Sequence, residues 1–325
     1  MVNAAILGLG RWGQLLHQSS LESQNLKVIG AATRTPANVE AYCGEHNLEL
    51  YPDFDTLLQD STVQAVLIAT PHTMHFEQLL KCADAGKHVY CEKPFTLRSQ
   101  DARHSLKALN DKGCKVAIGH NRRYAPNSRE LFKRVKQGWF GNLQHIDAVF
   151  NAPMASSKGR WRDSVVESPA GGMTSLGIHA IDHIVHLMGE VESVRSDSRK
   201  INSECAFDDH TTVDFRFSSG AGGHLRTLTN TAMQWQITLY GDAGWMQLHD
   251  LNSYFCRSVS GVEEQHRFPG YDYPAPATIT AALEAFAMDI LEDQPFAVSV
   301  EEIQTATRIL ETVFDNRSGW KAPVP

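Results

Sequence analysis

A lysine stands where a buried strand is expected to end, in the triplet Glu92-Lys93-Pro94. The apolar run His88–Cys91 that precedes it is typical of such a strand. An ammonium group at this place is costly unless an opposite charge or a ligand compensates it. Because lysine can act as an acid, a base or a polarising cation, the triplet indicates a reactive site at one edge of a sheet.

A glycine loop near the N-terminus supplies the second half of such a site. The pattern Gly-x-Gly-x-x-Gly follows the apolar run Ala4–Leu7 and precedes a helical pattern, the order found in dinucleotide-binding loops. The first glycine allows a tight turn, the second lets the pyrophosphate approach the backbone, and the third lets helix and strand pack closely. The alternative is a glycine-rich turn without a ligand. The residues assigned to the loop are Gly8, Gly10, Arg11, Trp12 and Gly13.

The end of the second predicted strand, Leu26–Ala32, indicates which dinucleotide binds. An NAD enzyme usually carries Asp or Glu about 20 residues after the glycine loop, where the carboxylate binds the ribose 2′-hydroxyl. Thr33 stands at this position and Arg34 follows it. These side chains, with Arg11 as a second cation, suit a 2′-phosphate, so NADP is favoured over NAD. If Arg34 is only a solvated surface residue, either cofactor binds.

Strand and helix patterns alternate over the first 120 residues. A helical stripe ending at Gly86 is one example of the helices between the strands. Such alternation predicts an α/β fold with a doubly wound parallel sheet and right-handed crossovers. The predicted strands are Ala4–Leu7, Leu26–Ala32, Ala65–Ala69, His88–Cys91 and Lys115–Ile118.

The pattern changes after Arg122. A helix is predicted over Asn127–Lys136, and a capping box at Ser299–Glu302 opens a last helix. Strands between them alternate polar and apolar residues, as in an antiparallel sheet with one solvated face. The second half is therefore predicted to be an α+β domain with a large open, mostly antiparallel sheet. Its predicted strands are Leu143–Phe150, Thr211–Phe217, Gly223–Thr229, Gln236–Tyr240 and Trp245–Leu248.

Length and composition are those of a soluble globular protein with two domains. The chain has 325 residues, 42% of them apolar and 21% charged, and a formal net charge of −7. The negative charge argues against a general nucleic-acid binder, and no apolar stretch reaches transmembrane length. Without a signal-peptide pattern, a cytoplasmic protein is expected. The cysteines lack metal-type spacing and are expected to be buried free thiols: Cys43, Cys82, Cys91, Cys114, Cys205 and Cys256.

Several motifs occur in the order and spacing of a known family. The chain resembles the glucose-fructose oxidoreductase / inositol dehydrogenase / MocA (Gfo/Idh/MocA) family along nearly its whole length. The residues that carry this resemblance are the glycine loop, Ala69-Thr70-Pro71-His72 with His75, Glu92-Lys93-Pro94, Asn121-Arg122-Arg123-Tyr124-Ala125-Pro126, and Gly171-Gly172 followed by Gly177-Ile178-His179-Ala180-Ile181-Asp182.

The resemblance implies two domains and a class of reaction. Residues 1–122 would form a Rossmann dinucleotide-binding domain, and residues 123–325 a substrate-binding and oligomerisation domain. In this family the open sheet commonly packs against a second copy, which implies a homodimer or homotetramer. Family members mostly oxidise or reduce a secondary alcohol on a small-molecule sugar, polyol or related ring.

The resemblance also implies which residues contact the cofactor. Trp161 and Arg162 resemble a pair that reaches the cofactor or the substrate in part of the family. The peptide bond between Lys93 and Pro94 is often cis in the family, and a cis bond there would fix the direction of the lysine. The other implied contacts, besides the glycine loop, are Thr70, Pro71, His72, His75, Glu92, Lys93 and Asn121.

Hydride transfer from a secondary alcohol requires a base for the hydroxyl proton and a positive group near the oxygen. His179 and Lys93 are predicted to fill these roles, with Asp182 orienting His179 or accepting hydrogen bonds locally. Histidine titrates near neutral pH, and a lysine beside a cationic nicotinamide should lose its proton more readily. As a lone residue, His179 would be interpreted as a hydrogen-bonded core histidine, and its place in the family motif assigns it the catalytic role.

The residues around His179 offer a metal site as an alternative. His179, Asp182, His183 and His186 share one face of a predicted helix, and histidines at i and i+4 suit zinc. No general-base glutamate lies between the histidines, as it does in His-Glu-x-x-His. The hydride chemistry of the family is generally metal-free, so no metal is predicted.

One position departs from the family's pattern. Polyol-oxidising members usually carry an aspartate four residues before the histidine, where this chain has Ser175. Serine supplies no carboxylate, so either His179 and Lys93 act alone or the substrate differs, for example a cis-dihydrodiol or a carbonyl to be reduced. The arginines near the site suit a carboxylate or phosphate of the substrate, or equally a salt-bridged interface. Candidate substrate contacts are Arg122, Tyr124, Ser175 and Trp235.

Two functions follow from these observations. The leading hypothesis is an NAD(P)-dependent dehydrogenase or reductase that acts on CH–OH groups. The alternative is a catalytically silent, NAD(P)-binding regulator, because the family includes transcriptional co-regulators that keep the nucleotide site. Lys93 and His179 favour the enzyme, and Ser175 slightly favours the regulator.

Overall fold

The computed structural model describes residues 1–202, 204–272 and 276–315, together with the backbone of Trp320–Lys321. The chain divides into two compact units. The first comprises Met1–Asn121 and Pro276–Ile303. The second comprises Arg122–Ala275 and Gln304–Pro325.

The first unit is built on a parallel sheet. Its strands are β1 (Val2–Leu7), β2 (Leu26–Ala32), β3 (Glu49–Tyr51), β4 (Ala65–Ile68), β5 (His88–Cys91) and β6 (Val116–Ile118). They lie in the order β3-β2-β1-β4-β5-β6, and neighbouring strands are parallel. This is the strand order of a doubly wound sheet, in which the order reverses between β1 and β4. The predicted parallel sheet is confirmed.

Amphipathic helices connect these strands. In the helix His75–Asp84, Leu79 and Ala83 lie four residues apart and are both buried, whereas Glu77 is exposed. One apolar stripe of this helix therefore packs inward. Every residue of β4 is buried, as a central parallel strand requires. The helices are α1 (Arg11–Ser20), α2 (Glu40–Glu45), α3 (Phe54–Gln59), α4 (His75–Asp84) and α5 (Ser99–Asp111).

A further helix of the first unit comes from far along the chain. This helix, α8 (Pro276–Glu292), was not predicted. Its Phe286 ring lies 5.9 Å from the Tyr90 ring of β5. Its Glu284 carboxylate accepts hydrogen bonds from the backbone N–H groups of Gln24 and Asn25 at 3.0 and 3.2 Å. The sequence predicted that all of 123–325 belongs to the second domain, whereas Pro276–Ile303 belongs to the first compact unit.

The second unit is built on a large mixed sheet. Its strands are β7 (Leu143–Asn151), β8 (Val191–Arg199), β9 (His210–Phe217), β10 (Gly222–Leu228), β11 (Gln234–Gly241), β12 (Gly244–His249), β13 (Ser253–Ser258), β14 (Glu263–Arg267) and β15 (Trp320–Lys321). Their order is β14-β13-β12-β11-β7-β10-β9-β8-β15. β7 and β10 are parallel and the other neighbours are antiparallel, so the predicted open, mostly antiparallel sheet is confirmed. β8, β13, β14 and β15 were not predicted.

One face of this sheet is buried under helices. Buried and half-exposed residues alternate along β10, which gives the strand one inner and one outer face. The helices are α6 (Pro126–Lys136), α7 (Ile178–Met188) and α9 (Val300–Asp315). A single hydrophobic cluster joins Leu225 and Ile237 of the sheet to Leu131, Ile181 and Ile309 of these helices.

The helix starts follow local sequence signals in one case and tertiary packing in another. The predicted capping box forms at α9, since Ser299 Oγ accepts the Glu302 N–H at 3.2 Å and Glu302 Oε2 accepts the Ser299 N–H at 2.8 Å. α7 instead continues from a π-helical turn, Met173–Gly177, and is buried along its length except at His186. An enclosed helix of this kind forms the core of the second unit.

The predicted state of the cysteines is also confirmed, because all six are buried free thiols. In the described part of the chain, none of the helices combines the length and the apolar character needed to cross a membrane.

Candidate functional site

The glycine loop joins β1 to α1 at the carboxyl end of the strand. Gly8 has a φ of +97°, a conformation that favours glycine. A Cβ on Gly13 would lie 2.2 Å from the Gly8 carbonyl oxygen, so glycine alone lets α1 approach the loop this closely. A Cβ on Gly10 would meet nothing within 4 Å. Gly10 is also the N-cap of α1, and the open space beside it therefore faces a helix N-terminus, where phosphates bind.

The loop lies against the segment that follows β4. The Ala69 N–H donates to the Leu7 carbonyl oxygen at 2.8 Å. A Cβ on Gly8 would lie 2.9 Å from the Ala69 carbonyl oxygen and 3.0 Å from Thr70 Cγ2. The structure thus brings the predicted cofactor residues Gly8 and Thr70 together where the strand order reverses, which is where open α/β sheets bind ligands.

His75 ties the segment after β4 to the segment after β5. Its side chain is fully buried. Nδ1 lies 2.9 Å from the Pro94 carbonyl oxygen, and Nε2 lies 3.1 Å from the Thr70 carbonyl oxygen. The buried His72 ring lies 6.0 Å from that of His75. This pair of contacts holds the backbones of two predicted cofactor segments at a fixed separation.

Glu92 and Lys93 continue directly from β5. The Glu92 N–H donates to the Ile68 carbonyl oxygen at 2.9 Å, and the Lys93 N–H donates to Glu92 Oε2 at 3.3 Å. Glu92 is buried and Lys93 is half-buried. The Lys93–Pro94 peptide bond is cis, as expected. The triplet therefore stands at the same sheet edge as the glycine loop.

Asn121 is held by the helix that sequence analysis missed. Its Nδ2 donates to Thr278 Oγ1 of α8 at 2.7 Å, and both side chains are buried. This hydrogen bond fixes a predicted cofactor residue from a position 157 residues away in the sequence.

The residues predicted to determine the preference for NADP over NAD follow β2, which lies beside the glycine loop. The Gly8 N–H donates to the Ala32 carbonyl oxygen at 2.8 Å, which places the end of β2 beside the loop. Thr33 is half-buried and Arg34 is exposed. Arg11, the first residue of α1, is also exposed. The two cations are therefore solvent-accessible at this edge.

In the second unit, His179 and Ser175 lie one helical turn apart. His179 is the second residue of α7, and Ser175 belongs to the π-helical turn before it. Both are 6% exposed. The His179 ring lies 6.0 Å from the Phe150 ring of β7. π-Helical turns are frequent at functional sites, and this one sets the position of His179 on the sheet.

Asp182 forms a buried ion pair with Arg123. Arg123 Nε donates to Asp182 Oδ2 and Arg123 Nη2 donates to Oδ1, both at 2.8 Å. The two side chains are 1% and 2% exposed. Such a bidentate pair fixes the orientation of both groups. The pair joins the turn Asn121–Tyr124 to α7, one helical turn after His179. The Asp182 carboxylate therefore accepts hydrogen bonds locally, which is one of the two roles predicted for it.

His183 is a buried, neutral residue of the same helix. Its Nδ1 lies 3.0 Å from the His179 carbonyl oxygen, and its Nε2 lies 3.1 Å from Ser128 Oγ. Burial lowers the pKa of His183 to about 3, against the opposing charge of Asp182. Among the residues that the structure describes, no group of three or more His, Cys, Asp or Glu side chains is arranged to hold a metal ion.

Arg122 is stacked between two aromatic rings. Its guanidinium carbon lies 4.2 Å from the centre of the Phe150 ring and 4.5 Å from that of the Trp235 ring. Phe150 and Trp235 face each other across β7 and β11. Arg122 is 5% and Trp235 1% exposed, so the cation–π contacts are desolvated. The predicted substrate residues Arg122 and Trp235 thus lie in one cluster with Phe150, which also contacts His179.

Trp161 and Arg162 lie on a short 3-10 turn, Trp161–Asp163, between β7 and α7. Arg162 stacks on the Trp161 ring at 4.2 Å, and both are half-buried. Asp163 anchors this turn by accepting the N–H groups of Gly159 at 2.8 Å and Ala206 at 2.5 Å. Tyr124 is half-buried beside Arg123.

Protein-family models match both parts of the chain. Residues 2–120 match the model described as an oxidoreductase family with an NAD-binding Rossmann fold, GFO_IDH_MocA. Residues 128–247 match the GFO/IDH/MocA C-terminal domain. The chain belongs to the Gfo/Idh/MocA family.

Curated Gfo/Idh/MocA relatives are distant in sequence. The chain is 26% identical over 220 residues to scyllo-inositol 2-dehydrogenase (NADP(+)) IolW of Bacillus subtilis. This match covers 66% of the chain and 60% of IolW, and matches to two further relatives cover 53% and 54% of those proteins. The chain therefore aligns with little more than half the length of these relatives.

Solved structures show the same fold along the whole chain. Levoglucosan dehydrogenase in complex with NADH and levoglucosan has a TM-score of 0.91 at 17% identity, covering 100% of both chains. Aldose-aldose oxidoreductase from Caulobacter crescentus, complexed with glycerol, has a TM-score of 0.89 at 20% identity, covering 99% of both.

Sequence analysis of this Gfo/Idh/MocA member missed the long-range contacts of its site. Asn121–Thr278 and Arg123–Asp182 join residues 157 and 59 positions apart, which no local periodicity reveals. The Arg122 stack had one usable signal. Phe150 ends one predicted strand, and Trp235 directly precedes another. In the structure these two residues are partners in the register of β7 and β11.

Proposed function

We propose that the protein is an NAD(P)-dependent oxidoreductase that transfers a hydride between a nicotinamide and a secondary alcohol or carbonyl of a sugar, polyol or related ring. The open space at Gly10 carries this proposal, because it lets a pyrophosphate approach the backbone of the glycine loop. Family membership supports it, since residues 2–120 match an oxidoreductase family model with an NAD-binding Rossmann fold.

A dinucleotide would bind to the first unit at the place where the strand order reverses, between β1 and β4. The free N–H groups at the start of α1 would bind the pyrophosphate. Thr70 and the segment Glu92–Pro94 would lie on the nicotinamide side, because they follow β4 and β5. Pro71, His72, His75, Asn121, Trp161 and Arg162 keep the proposed cofactor roles implied by the family. The bound nicotinamide would accept or supply the hydride.

The proton of the reacting hydroxyl is assigned to His179 and the positive charge near its oxygen to Lys93. In oxidation the imidazole accepts the hydroxyl proton, and in reduction it returns a proton to the carbonyl oxygen. The His179 carbonyl oxygen lies 3.0 Å from Nδ1 of the neutral His183, which steadies the start of α7. Asp182 acts through its pair with Arg123 rather than on the substrate.

NADP is proposed as the preferred cofactor. Thr33 and the exposed Arg34 follow β2 beside the glycine loop, and Arg11 is exposed at the start of α1. A 2′-phosphate would gain charge-assisted hydrogen bonds from these cations, whereas NADH would not. The NADP(+)-dependent IolW is consistent with this preference.

The substrate class follows from Ser175 and from the relatives. IolW acts on scyllo-inositol by name, and levoglucosan dehydrogenase was solved with levoglucosan, which supports a sugar-like alcohol. Ser175 leaves His179 without the carboxylate of polyol-oxidising members, so a cis-dihydrodiol or a carbonyl for reduction is the second substrate class. Arg122, Tyr124 and Trp235 are proposed to contact this substrate.

The test is a substrate panel with the purified protein. We expect reduction of NADP or NAD by one or more inositols, anhydrosugars, aldoses or cis-dihydrodiols, or oxidation of NADPH by a matching ketone. NADPH should bind about tenfold or more tightly than NADH in a fluorescence titration. Tight cofactor binding without turnover across the panel, together with capture of a protein partner, would contradict the enzyme and favour the regulator.

A homodimer or homotetramer through the open sheet is also proposed. The outer face of the sheet carries Trp245 and Phe255, whose rings lie 5.3 Å apart on β12 and β13, with Tyr240 beside them. Half-exposed aromatic clusters are typical of interfaces. Light scattering should show an oligomer that Trp245→Glu dissociates, and a monomeric wild-type protein would contradict this assembly.

A further inference from the structure

The Glu92 carboxyl group lies in the space that a side chain at position 119 would need. A Cβ on Gly119 would lie 2.5 Å from Glu92 Oε1, 2.8 Å from Cδ and 2.9 Å from Oε2. These distances are all shorter than van der Waals contact. The backbone of Gly119 is not left-handed, so its conformation does not demand glycine. Glycine is instead required at position 119 because the Glu92 carboxyl group occupies the space of a Cβ.

The main chains on both sides are held in place. The Gly119 N–H donates to the Cys91 carbonyl oxygen at 2.8 Å, and the Glu92 N–H donates to the Ile68 carbonyl oxygen at 2.9 Å. These hydrogen bonds extend the ladders of β4, β5 and β6 by one residue, so the backbones cannot move apart cheaply. A side chain at 119 would therefore displace the carboxyl group, which is the flexible end of Glu92.

The Glu92 carboxylate has little other room. The residue is 6% exposed, and its Oε2 accepts the Lys93 N–H at 3.3 Å. Its position is thus linked to the residue that is proposed to polarise the substrate oxygen.

We propose that Gly119 is a positioning residue for Glu92: the missing side chain at 119 sets where the carboxylate stands beside the cofactor and Lys93. This inference rests on the proposed function, in which the segment Glu92–Pro94 lies on the nicotinamide side of the cofactor. Gly119 itself touches neither cofactor nor substrate in this role.

The first test is Gly119→Ala, with Gly44→Ala as the matched control. Gly44 is an exposed glycine of α2, and a Cβ on it would meet nothing within 4 Å. We expect a crystal structure of Gly119→Ala to show the Glu92 carboxyl group displaced by about 1 Å. The dissociation constant for NADPH should rise about fivefold or more, whereas Gly44→Ala should bind as wild type.

The second test repeats Gly119→Ala in a Glu92→Ala background. With the long side chain gone, the new Cβ meets no carboxyl group, so Gly119→Ala should change the NADPH dissociation constant by less than about twofold. An equal weakening in both backgrounds would show that the effect does not run through Glu92 and would overturn the inference. An undisplaced carboxyl group in the crystal structure would also overturn it.

These outcomes separate the inference from the function on which it rests. If Glu92→Ala leaves NADPH binding unchanged, the proposed cofactor role of Glu92 is wrong. The displacement of the carboxyl group in Gly119→Ala then still decides whether Gly119 positions it.

Discussion

His179, the proposed proton-transfer residue, belongs to the second unit, whereas the glycine loop belongs to the first. His179→Ala should lower kcat by about a hundredfold or more, because the variant lacks the group that accepts the proton of the reacting hydroxyl. The dissociation constant for the cofactor should stay within about threefold. Stopped-flow turnover and fluorescence titration measure the two quantities. An equal loss in both would remove the acid/base assignment.

The Arg123–Asp182 pair offers a test of whether Asp182 is catalytic. Asp182→Asn leaves Arg123 as a buried charge and should destabilise the second unit by about 3–5 kcal/mol in urea unfolding. The double variant Arg123→Met/Asp182→Leu removes both charges and should recover most of that stability. If Asp182 only positions α7, turnover recovers with stability. A stable double variant without turnover would instead assign Asp182 a direct role in the reaction.

At the scale of the element, the glycine loop contains two glycines that are required for different reasons. Gly13→Ala would place a Cβ 2.2 Å from the Gly8 carbonyl oxygen and should lower the free energy of unfolding by about 1–3 kcal/mol. Gly10→Ala meets no protein atom within 4 Å, so its melting temperature should match wild type. Its NADPH affinity should fall about tenfold or more, because the Cβ fills the pyrophosphate space.

Calorimetry and a cofactor titration of the two variants check this prediction together. Wild-type affinity in Gly10→Ala would mean that the pyrophosphate does not approach the loop on this side.

Elements with strong local signals were predictable from the sequence. β2 and β5 lie at the predicted residues, because short apolar runs between turn residues indicate buried parallel strands. α9 began at its capping box. Other elements have no such signal: β14 is exposed along its whole length and charged, and the π-helical turn Met173–Gly177 is determined by packing. For the candidate site, family motifs suggested the residues, and only the fold showed which other residues contact them.

At the scale of the whole molecule, buried histidines make the protein sensitive to acid. Burial lowers the folded-state pKa of His183 to about 3, below the ordinary value of 6.5. Burial and the neighbouring His46 lower the pKa of His17 as well. Below about pH 6.5 the unfolded chain binds protons that the folded chain does not, so stability falls as the pH falls.

The variant His183→Gln tests the contribution of one of these histidines to the pH dependence of stability. Between about pH 6 and pH 4, the free energy of unfolding of this variant should fall by about 1.4 kcal/mol per pH unit less than that of wild type. Urea titrations at several pH values measure the slope. Identical slopes for wild type and His183→Gln would contradict a neutral, buried His183.

The return of α8 to the first unit sets the order in which the protein can mature on the ribosome. Asn121, Lys115 and Tyr90 have partners on this helix, at Thr278, Asp289 and Phe286. The last segment of the first unit, Pro276–Ile303, follows the strands β7 to β14 of the second unit in the sequence. During synthesis the first unit is therefore completed only after those strands have emerged from the ribosome. Its proposed ability to hold a cofactor is for this reason acquired after most of the second unit's sheet has been made.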